Sequence, residues 1–403
     1  MEIRNITFIG LNYAPEDTAI GLYSTQWAEY LNKQGFKVSV ITAFPYYPQW
    51  EVNEEYRFKK TFLNEERNDV IIYRYKQYVP KSPTFIKRII HLLDFTFGSF
   101  INLYKLKKCD LVISVVPFTS SVLLGYIQKR RFNSKLWIHI QDFELDAAIQ
   151  TGLTNNKKRS FSLLFKLEKW LFSKSDIAST ISKRMLNKLG EKTKSELFYL
   201  PNWIDAKSID PKTHKTHPYL DFKKVKILYS GNIGDKQDWE TFVQFCKDTD
   251  KQKHHITVVG NGTKKEWLID QINNISNVTY FPPVPYDELS DLLCSADLHL
   301  LFQKQNVFDT VMPSKVLGMM ASAKPSIIIG NKESEVKTII EASKGGFYYT
   351  EYNKKIIKDL KKLLDNRDDL VEMGNSARNY VVQNFSKETV LSSMVDKLHN
   401  LQY

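Results

Sequence analysis

Three stretches of this chain carry residue types whose spacing suits work on an anion or a hydroxyl. Residues 225–240, VKILYSGNIGDKQDWE, pass from an apolar run into Ser230, Gly231, Asn232, Ile233 and Gly234, then Asp235 and Lys236. A helical pattern, WETFVQFCKD, follows. A buried strand that breaks at glycines before a helix suits an anion, because the backbone can approach closely and the helix dipole and unpaired N–H groups face the ligand. Lys236 adds a full charge, although the same turn also occurs without a ligand. Residues 312–327, MPSKVLGMMASAKPSI, give a second cue. Their proline-led turn sets a hydroxyl, Ser314, and a lysine, Lys315, at a helix start, which is a phosphate clamp in its own right. The third stretch, KLWIHIQDFELDA at 135–147, closes a strand on His139, Gln141, Asp142 and Glu144. Alternation puts His139 and Gln141 on one face and Asp142 on the other. A carboxylate at the carboxyl end of a strand can orient or deprotonate a hydroxyl. Asp142 is the first candidate, followed by Glu144 and His139. The plain alternatives are a loop salt bridge for Glu144 and a hydrogen-bonded core position for His139.

The elements that must hold these residues are strands alternating with helices. NITFIG at 5–10 reads as a buried strand, followed by a loop and a helix from about Gly21 to Gln34 that Gly35 ends. FKVSVITAF then supplies the second strand. DVIIYRY, DLVISVV, KLWIHIQD, IASTIS and ELFYLPN continue the series, with helical stretches between them. That alternation predicts a parallel sheet with helices on both faces. The pattern breaks at 201–221, rich in Pro, Asp, His and Lys, which reads as a connection. It restarts with VKILYSG, ITVVGNG, NVTYFPPV, DLHLLFQ, PSIIIG and GGFYYT. The expectation is α/β with two doubly wound, Rossmann-like domains, at 1–200 and 222–385, and a last helix at 386–403 crossing back onto the first. Ligands of open α/β sheets sit at the carboxyl ends of the strands, so the expected site is a cleft between two facing domains.

A length of 403 residues fits two such domains, and 25% charged with 42% hydrophobic residues describes a globular chain. The net charge of +12 favours partners that carry negative charge: nucleic acid, anionic lipid or phosphorylated substrates. Three scattered cysteines, Cys109, Cys246 and Cys294, suggest neither a disulfide framework nor a zinc site and fit a reducing compartment. The first residues enter a strand directly, without a signal-peptide layout, and no run of eighteen apolar residues is present. The first loop, NYAPEDTAIG, lacks the G-x-G-x-x-G spacing of a dinucleotide site. His254 and His255 read as surface residues before a strand.

The loops of the second half occur in a telling order: SGNIGDKQD, VVGNGTKKEWL, FPPVPYDELSDLLCSADLHLL and MPSKVLGMMASAKPSI. This succession resembles the nucleotide-sugar half of GT-B-fold glycosyltransferases of family four, and the resemblance covers nearly the whole chain. NYAPEDTAIGLYS, ITAFPYYPQW, YVPKSPTFIKRIIHL and IHIQDFELDAA resemble a bacterial subgroup with colanic-acid fucosyltransferases and O-antigen L-fucosaminyl-type transferases. PYYPQW and HIQDFELDA are the most specific of these matches. The resemblance implies a donor diphosphate held by Gly231, Asn232, Lys236, Ser314 and Lys315, with Met312 in the same turn. Gly260 and Gly262 would shape the second loop, although they could form only a turn. The backbone at Pro283 and Val284 would face the base, and Gly21 would let the first domain's loop close over the diphosphate. Two departures from the family pattern stand out. Asn232 occupies the place of a common arginine. Of two glutamates seven residues apart, the second place holds Gly318 and the first lies near Thr310, which leaves Asp309 part of the donor-sugar work. A variant donor site is expected.

Sugar transfer builds charge on a leaving phosphate, which cations and N–H dipoles stabilise. No D-x-D pair stands between a strand and a loop, so Lys236 and Lys315 are preferred to a metal and no cofactor is expected beyond the nucleotide sugar. UDP is favoured over GDP. Whether the reaction retains or inverts the anomeric centre stays open, with Asp17 and Glu16 as further candidate bases. Residues 83–108 and 155–172 mix Phe, Ile, Leu and Trp with Lys and Arg. Such segments suit an anionic membrane surface, although solvated domain helices have the same composition. A peripheral enzyme at the cytoplasmic face, acting on a polyprenyl-diphosphate-linked sugar, is the expectation, with the polyprenyl carrier implied by the resemblance alone. A nucleic-acid-binding protein would show a recognisable docking module, and none is legible. A phosphorylase or epimerase in the same cleft is the remaining alternative.

Overall fold

Apolar runs alternating with helical segments give two separate parallel sheets in the computed structural model, which describes residues 2–16, 19–82, 84–117, 119–143, 145–146, 158–305 and 314–401. One compact unit comprises Met1–Pro201 with Leu391–Tyr403, and the other comprises Asn202–Val390.

The first unit has eight strands: β1 (Asn5–Ile9), β2 (Lys37–Ala43), β3 (Phe62–Arg67), β4 (Val70–Tyr75), β5 (Leu111–Val116), β6 (Lys135–Ile140), β7 (Ile177–Thr180) and β8 (Glu196–Tyr199). They lie in the order β3-β4-β2-β1-β5-β6-β7-β8. All neighbours are parallel except the hairpin β3–β4. The central strand β5 is buried at every position, as a strand covered on both faces must be. Strand β3 has no counterpart in the apolar pattern. Its sequence, FLNEER, is that of a charged edge strand, and charge is what keeps an open edge from pairing with other chains. Asn68 and Asp69, both at positive φ, form the two-residue turn that a twisted hairpin needs.

The second unit has six parallel strands: β9 (Val225–Ser230), β10 (His254–Val259), β11 (Val278–Phe281), β12 (Leu298–Phe302), β13 (Ser326–Ile329) and β14 (Gly346–Tyr349). Their order is β11-β10-β9-β12-β13-β14, so the winding reverses between β9 and β12. That reversal leaves a crevice at the carboxyl ends of these two strands. Residues 202–221 are not a free connection. Ile209 and Leu220 are buried in the second core, and Ile204 N–H bonds Phe385 O at 2.9 Å. His254 corrects the surface reading: it opens β10 and is buried. The final helix, Lys387–His399, gives its last residues to the first unit, where Met394 lies under Trp27, its Sδ 3.4 Å from Trp27 Nε1.

Candidate functional site: an anion cradle at the β9–β12 crevice

Strand β9 ends in Ser230 and hands over to Gly231, whose φ of +139° only glycine adopts without strain. A side chain is barred there for a second reason. A Cβ on Gly231 would lie 3.0 Å from the Nζ of Lys315, which reaches in from the helix Ser314–Ala321. The loops after β9 and β10 are laced together. Gly231 N–H bonds Val259 O at 2.9 Å, Ile233 N–H bonds Asn261 O at 2.8 Å, and Lys264 N–H bonds Ile233 O at 2.9 Å. Gly260 and Gly262 make this approach possible, since Cβ atoms on them would fall 1.9 Å from Gly231 O and 2.3 Å from Ile233 O. They therefore do more than form a turn. The Asn232 side chain lies over Gly234 and Gly262, with its Nδ2 2.9 Å from where a Gly234 Cβ would stand.

Lys315 is the cation of this cradle. Its Nζ donates to Tyr229 Oη at 3.0 Å and sits 5.0 Å from that ring's centre. Tyr229 Oη in turn donates to Asn232 O at 2.8 Å, so one hydroxyl ties the ammonium to the glycine loop. No carboxylate pairs with Lys315 among the described residues, and burial holds its pKa down at about 8. A desolvated cation without a counter-ion favours an incoming anion. Lys236 is exposed on the same loop, and its carbonyl accepts from Lys304 N–H just past β12 at 3.1 Å. Both lysines thus stand on segments that follow β9 and β12.

The helix Trp239–Asp248 starts at a side-chain cap, Asp238, which accepts from Thr241 N–H at 3.2 Å and places a carboxylate at that end. Lys315 and Lys236 are the lysines placed to supply positive charge to an anion here. Val284 lies beyond the edge strand β11, with its side chain leaning on the core. Asp309 and Met312 lie outside the described residues, as does the side chain of Ser314, the first residue of its helix.

In the first unit, the structure corrects His139 as a catalytic candidate. It is 1% exposed, in edge contact with Trp27, and hydrogen-bonded at both ring nitrogens, to Ser179 Oγ and Gln141 Nε2, each at 2.9 Å. Burial drives its pKa down to about 3, so it stays neutral and inside the core. Asp142 stands just past the end of β6 and is half-buried, while Glu144 lies outside the described residues. Gly21 has a local reason to lack a side chain. A Cβ there would stand 2.8 Å from the Cβ of Glu16. Glu16 accepts from Tyr46 N–H at 2.8 Å, Tyr47 N–H at 2.9 Å and Asn12 Nδ2 at 2.8 Å. It therefore pins the PYYP loop to the loop after β1, and burial raises its pKa despite these bonds.

Two site-supporting residues escaped the sequence reading. Tyr229 hid inside an apolar strand, where only the rule that a buried hydroxyl needs a partner marks it. Arg378 comes from a distant helix and donates to Ile209 O at 2.9 Å, Ala206 O at 3.2 Å and Ala321 O, which is the carboxyl end of the Lys315 helix.

Comparison with known proteins gives this geometry a family. The family model described as "Glycosyl transferases group 1" matches residues 213–380. The putative colanic acid biosynthesis glycosyl transferase WcaI of Escherichia coli is 32% identical over 98% of this chain and 99% of its own. The chain belongs to the group 1 glycosyltransferases. Among solved structures, sucrose-phosphate synthase of Thermosynechococcus elongatus superposes with a TM-score of 0.73 at 13% identity, covering 98% of each chain. Anabaena Alr3699/HepE, solved in complex with UDP, gives 0.68 at 10% identity, covering 99% of this chain and all of that one. The fold of this glycosyltransferase is therefore the GT-B one, and its matched segment takes in both glycine loops and Lys315.

Proposed function

We propose that this glycosyltransferase moves N-acetyl-L-fucosamine or L-fucose from a nucleoside-diphosphate donor to a polyprenyl-diphosphate-linked saccharide. UDP is favoured over GDP as the nucleotide. The proposed setting is the cytoplasmic face of a bacterial plasma membrane, in the synthesis of an O-antigen, capsule or exopolysaccharide. The observation that carries the donor assignment is Lys315, a desolvated cation that no carboxylate pairs with among the described residues, lodged against a bare glycine at the crevice of the second sheet. Support for the nucleotide comes from HepE, which was solved with UDP. Support for the setting comes from the colanic acid role in the name of WcaI.

In the proposed reaction the bond from the anomeric carbon to the diphosphate oxygen breaks while one to an acceptor hydroxyl oxygen forms. Lys315, Lys236 and the backbone at Gly231 and Asn232 take up the charge growing on the leaving diphosphate, so no metal is invoked. Asp142 or Glu144 receives the acceptor proton in an inverting reaction, and the leaving phosphate receives it in a retaining one.

The test is calorimetric titration with UDP and GDP. Lys315→Ala should weaken binding about 30- to 100-fold, as expected for loss of a charged contact worth about 2–3 kcal/mol. Lys236→Ala, at an exposed position, should weaken it several-fold. Unchanged affinity in both variants would mean the diphosphate is held elsewhere. Stabilisation by DNA oligonucleotides but by neither nucleotide would refute the transferase reading of the site.

A further inference from the structure

The helix Phe85–Leu103 exposes a long apolar face in addition to the one it buries. A helix on the surface of a soluble domain turns its apolar stripe to the core and its polar stripe to water. Here the buried stripe mixes Phe95 and Leu103 with the polar His91, Thr96, Ser99 and Asn102, while Ile86, Ile90, Leu93, Phe97 and Ile101 point away from the protein. The outward residues recur at steps of four, three, four and four, which is one face of a helix. Ile86 is 69% exposed and Phe97 73%. On the inner side Gly98 lets the helix lie flat on Tyr75, whose ring comes 2.2 Å from where a Cβ would stand, so the orientation is fixed by packing.

The face continues sideways. The helix Thr119–Phe132 packs against Phe85–Leu103 and also against Lys158–Phe172. Leu163, Leu167 and Trp170 of the last of these are exposed as well, Leu163 at 70%. The charges over these helices are sorted by sign. They hold two acids between them, Asp94 and Glu168. Asp94 is turned to the sheet, accepting from Tyr75 Oη at 3.0 Å and Tyr78 N–H at 2.6 Å. Glu168 is buried against Lys192 Nζ at 2.5 Å. Lys87, Arg88, Lys166 and Lys169 are exposed, and Lys107 and Lys108 follow the first helix. What faces outward is therefore apolar and cationic.

We infer that this three-helix face of the first unit is the surface by which the protein sits in an anionic lipid bilayer. The apolar side chains would enter the acyl boundary and the lysines and arginines would meet the headgroups. Large exposed apolar patches mark interaction surfaces, and the charge pattern selects the occupant. An anionic bilayer complements both features. A second copy of the chain would set like charges against each other, and no described helix is long and apolar enough to cross the membrane instead. The inference deepens the membrane setting proposed above, and it rests on geometry in the first unit alone.

The test is co-sedimentation with vesicles of phosphatidylcholine alone or with about 30 mol % phosphatidylglycerol. It compares wild type, Leu93→Glu/Phe97→Glu and Lys107→Glu/Lys108→Glu, with sedimentation velocity and UDP titration on the same samples. Wild type should partition onto the anionic vesicles and much less onto the neutral ones. The apolar variant should lose at least about tenfold in partitioning, and the charge variant should lose about as much through headgroup attraction. Both substituted pairs are exposed, so UDP affinity and the sedimentation coefficient should be those of wild type, the latter reporting that the first unit is folded. Wild type left in the supernatant of both vesicle types, or an apolar variant that partitions like wild type, would overturn the inference. So would a wild-type dimer that Leu93→Glu/Phe97→Glu converts to monomer. If no form binds UDP yet the vesicle results are as expected, the donor assignment fails and the membrane face stands.

Discussion

Lys315 is held between two demands, and its behaviour with pH should show both. Desolvation sets its pKa near 8 in the free protein, and the proposed diphosphate would raise it again, so nucleotide affinity should fall as pH rises above about 8. Titrating UDP between about pH 7 and 9.5 checks this, and Lys315→Arg, whose charge does not titrate, should flatten the fall. The sign for stability is the opposite. The unfolded lysine keeps its proton up to about pH 10.4, so between about 8 and 10.4 the unfolded chain binds more protons and stability rises with pH. Lys315→Met should therefore stabilise the protein by on the order of 1 kcal/mol at pH 7, while weakening nucleotide binding about as much as Lys315→Ala. A thermal melt that shows Lys315→Met less stable than wild type would contradict that account. Tyr229→Phe removes the hydroxyl to which this ammonium donates. It should cost several-fold in UDP affinity and shift the pH midpoint downward, a change that loss of packing alone would not cause. His139→Ala should instead lower stability by about 2–4 kcal/mol and spare turnover per folded molecule, since the ring is a buried structural group. Asp142→Asn is expected to keep UDP affinity and lose turnover, measured with a lipid-linked acceptor.

At the scale of elements, glycine positions separate the cradle from ordinary turns. A Cβ on Gly260 would meet the backbone oxygen of Gly231 at 1.9 Å, and neither backbone has room to yield. Gly260→Ala should cost about 2–4 kcal/mol and at least tenfold in nucleotide affinity, because the two loops would be pushed apart. Gly35 ends the first helix at a φ of +90° with open space around it. Gly35→Ala should cost only about 1 kcal/mol and leave UDP binding unchanged. Arg378 acts on the same cradle from behind, satisfying the carbonyl end of the helix whose first turn carries Lys315. The sequence announced the glycine loops, since a strand followed by glycines and a helix is a local pattern. It could not announce Arg378, which lies 57 residues from the carbonyl of Ala321. Nor did it show that Asp238 caps its own helix end.

Across the whole molecule the chain leaves the first unit at Pro201 and returns to it at Leu391. Met394 under Trp27 makes that return part of the first core. Met394→Ala should destabilise the protein by about 2–4 kcal/mol, and deletion of residues 391–403 should expose Trp27, read by its fluorescence and by thermal melting. Membrane attachment belongs to this scale too, and with a net charge of +12 it should weaken as salt is added. By itself the sequence determined the α/β class, the two rounds of strand and helix, and the glycine loops at the strand ends. These depend on hydrophobic period and on glycine or proline chemistry within a few residues. Only the tertiary structure decided that Lys315 meets Tyr229 across 86 positions, that His139 is core, and that one helix leaves a second apolar face turned outward. Burial, desolvation and hydrogen-bond partners are set by which distant segments come to lie together, and no local pattern carries that information.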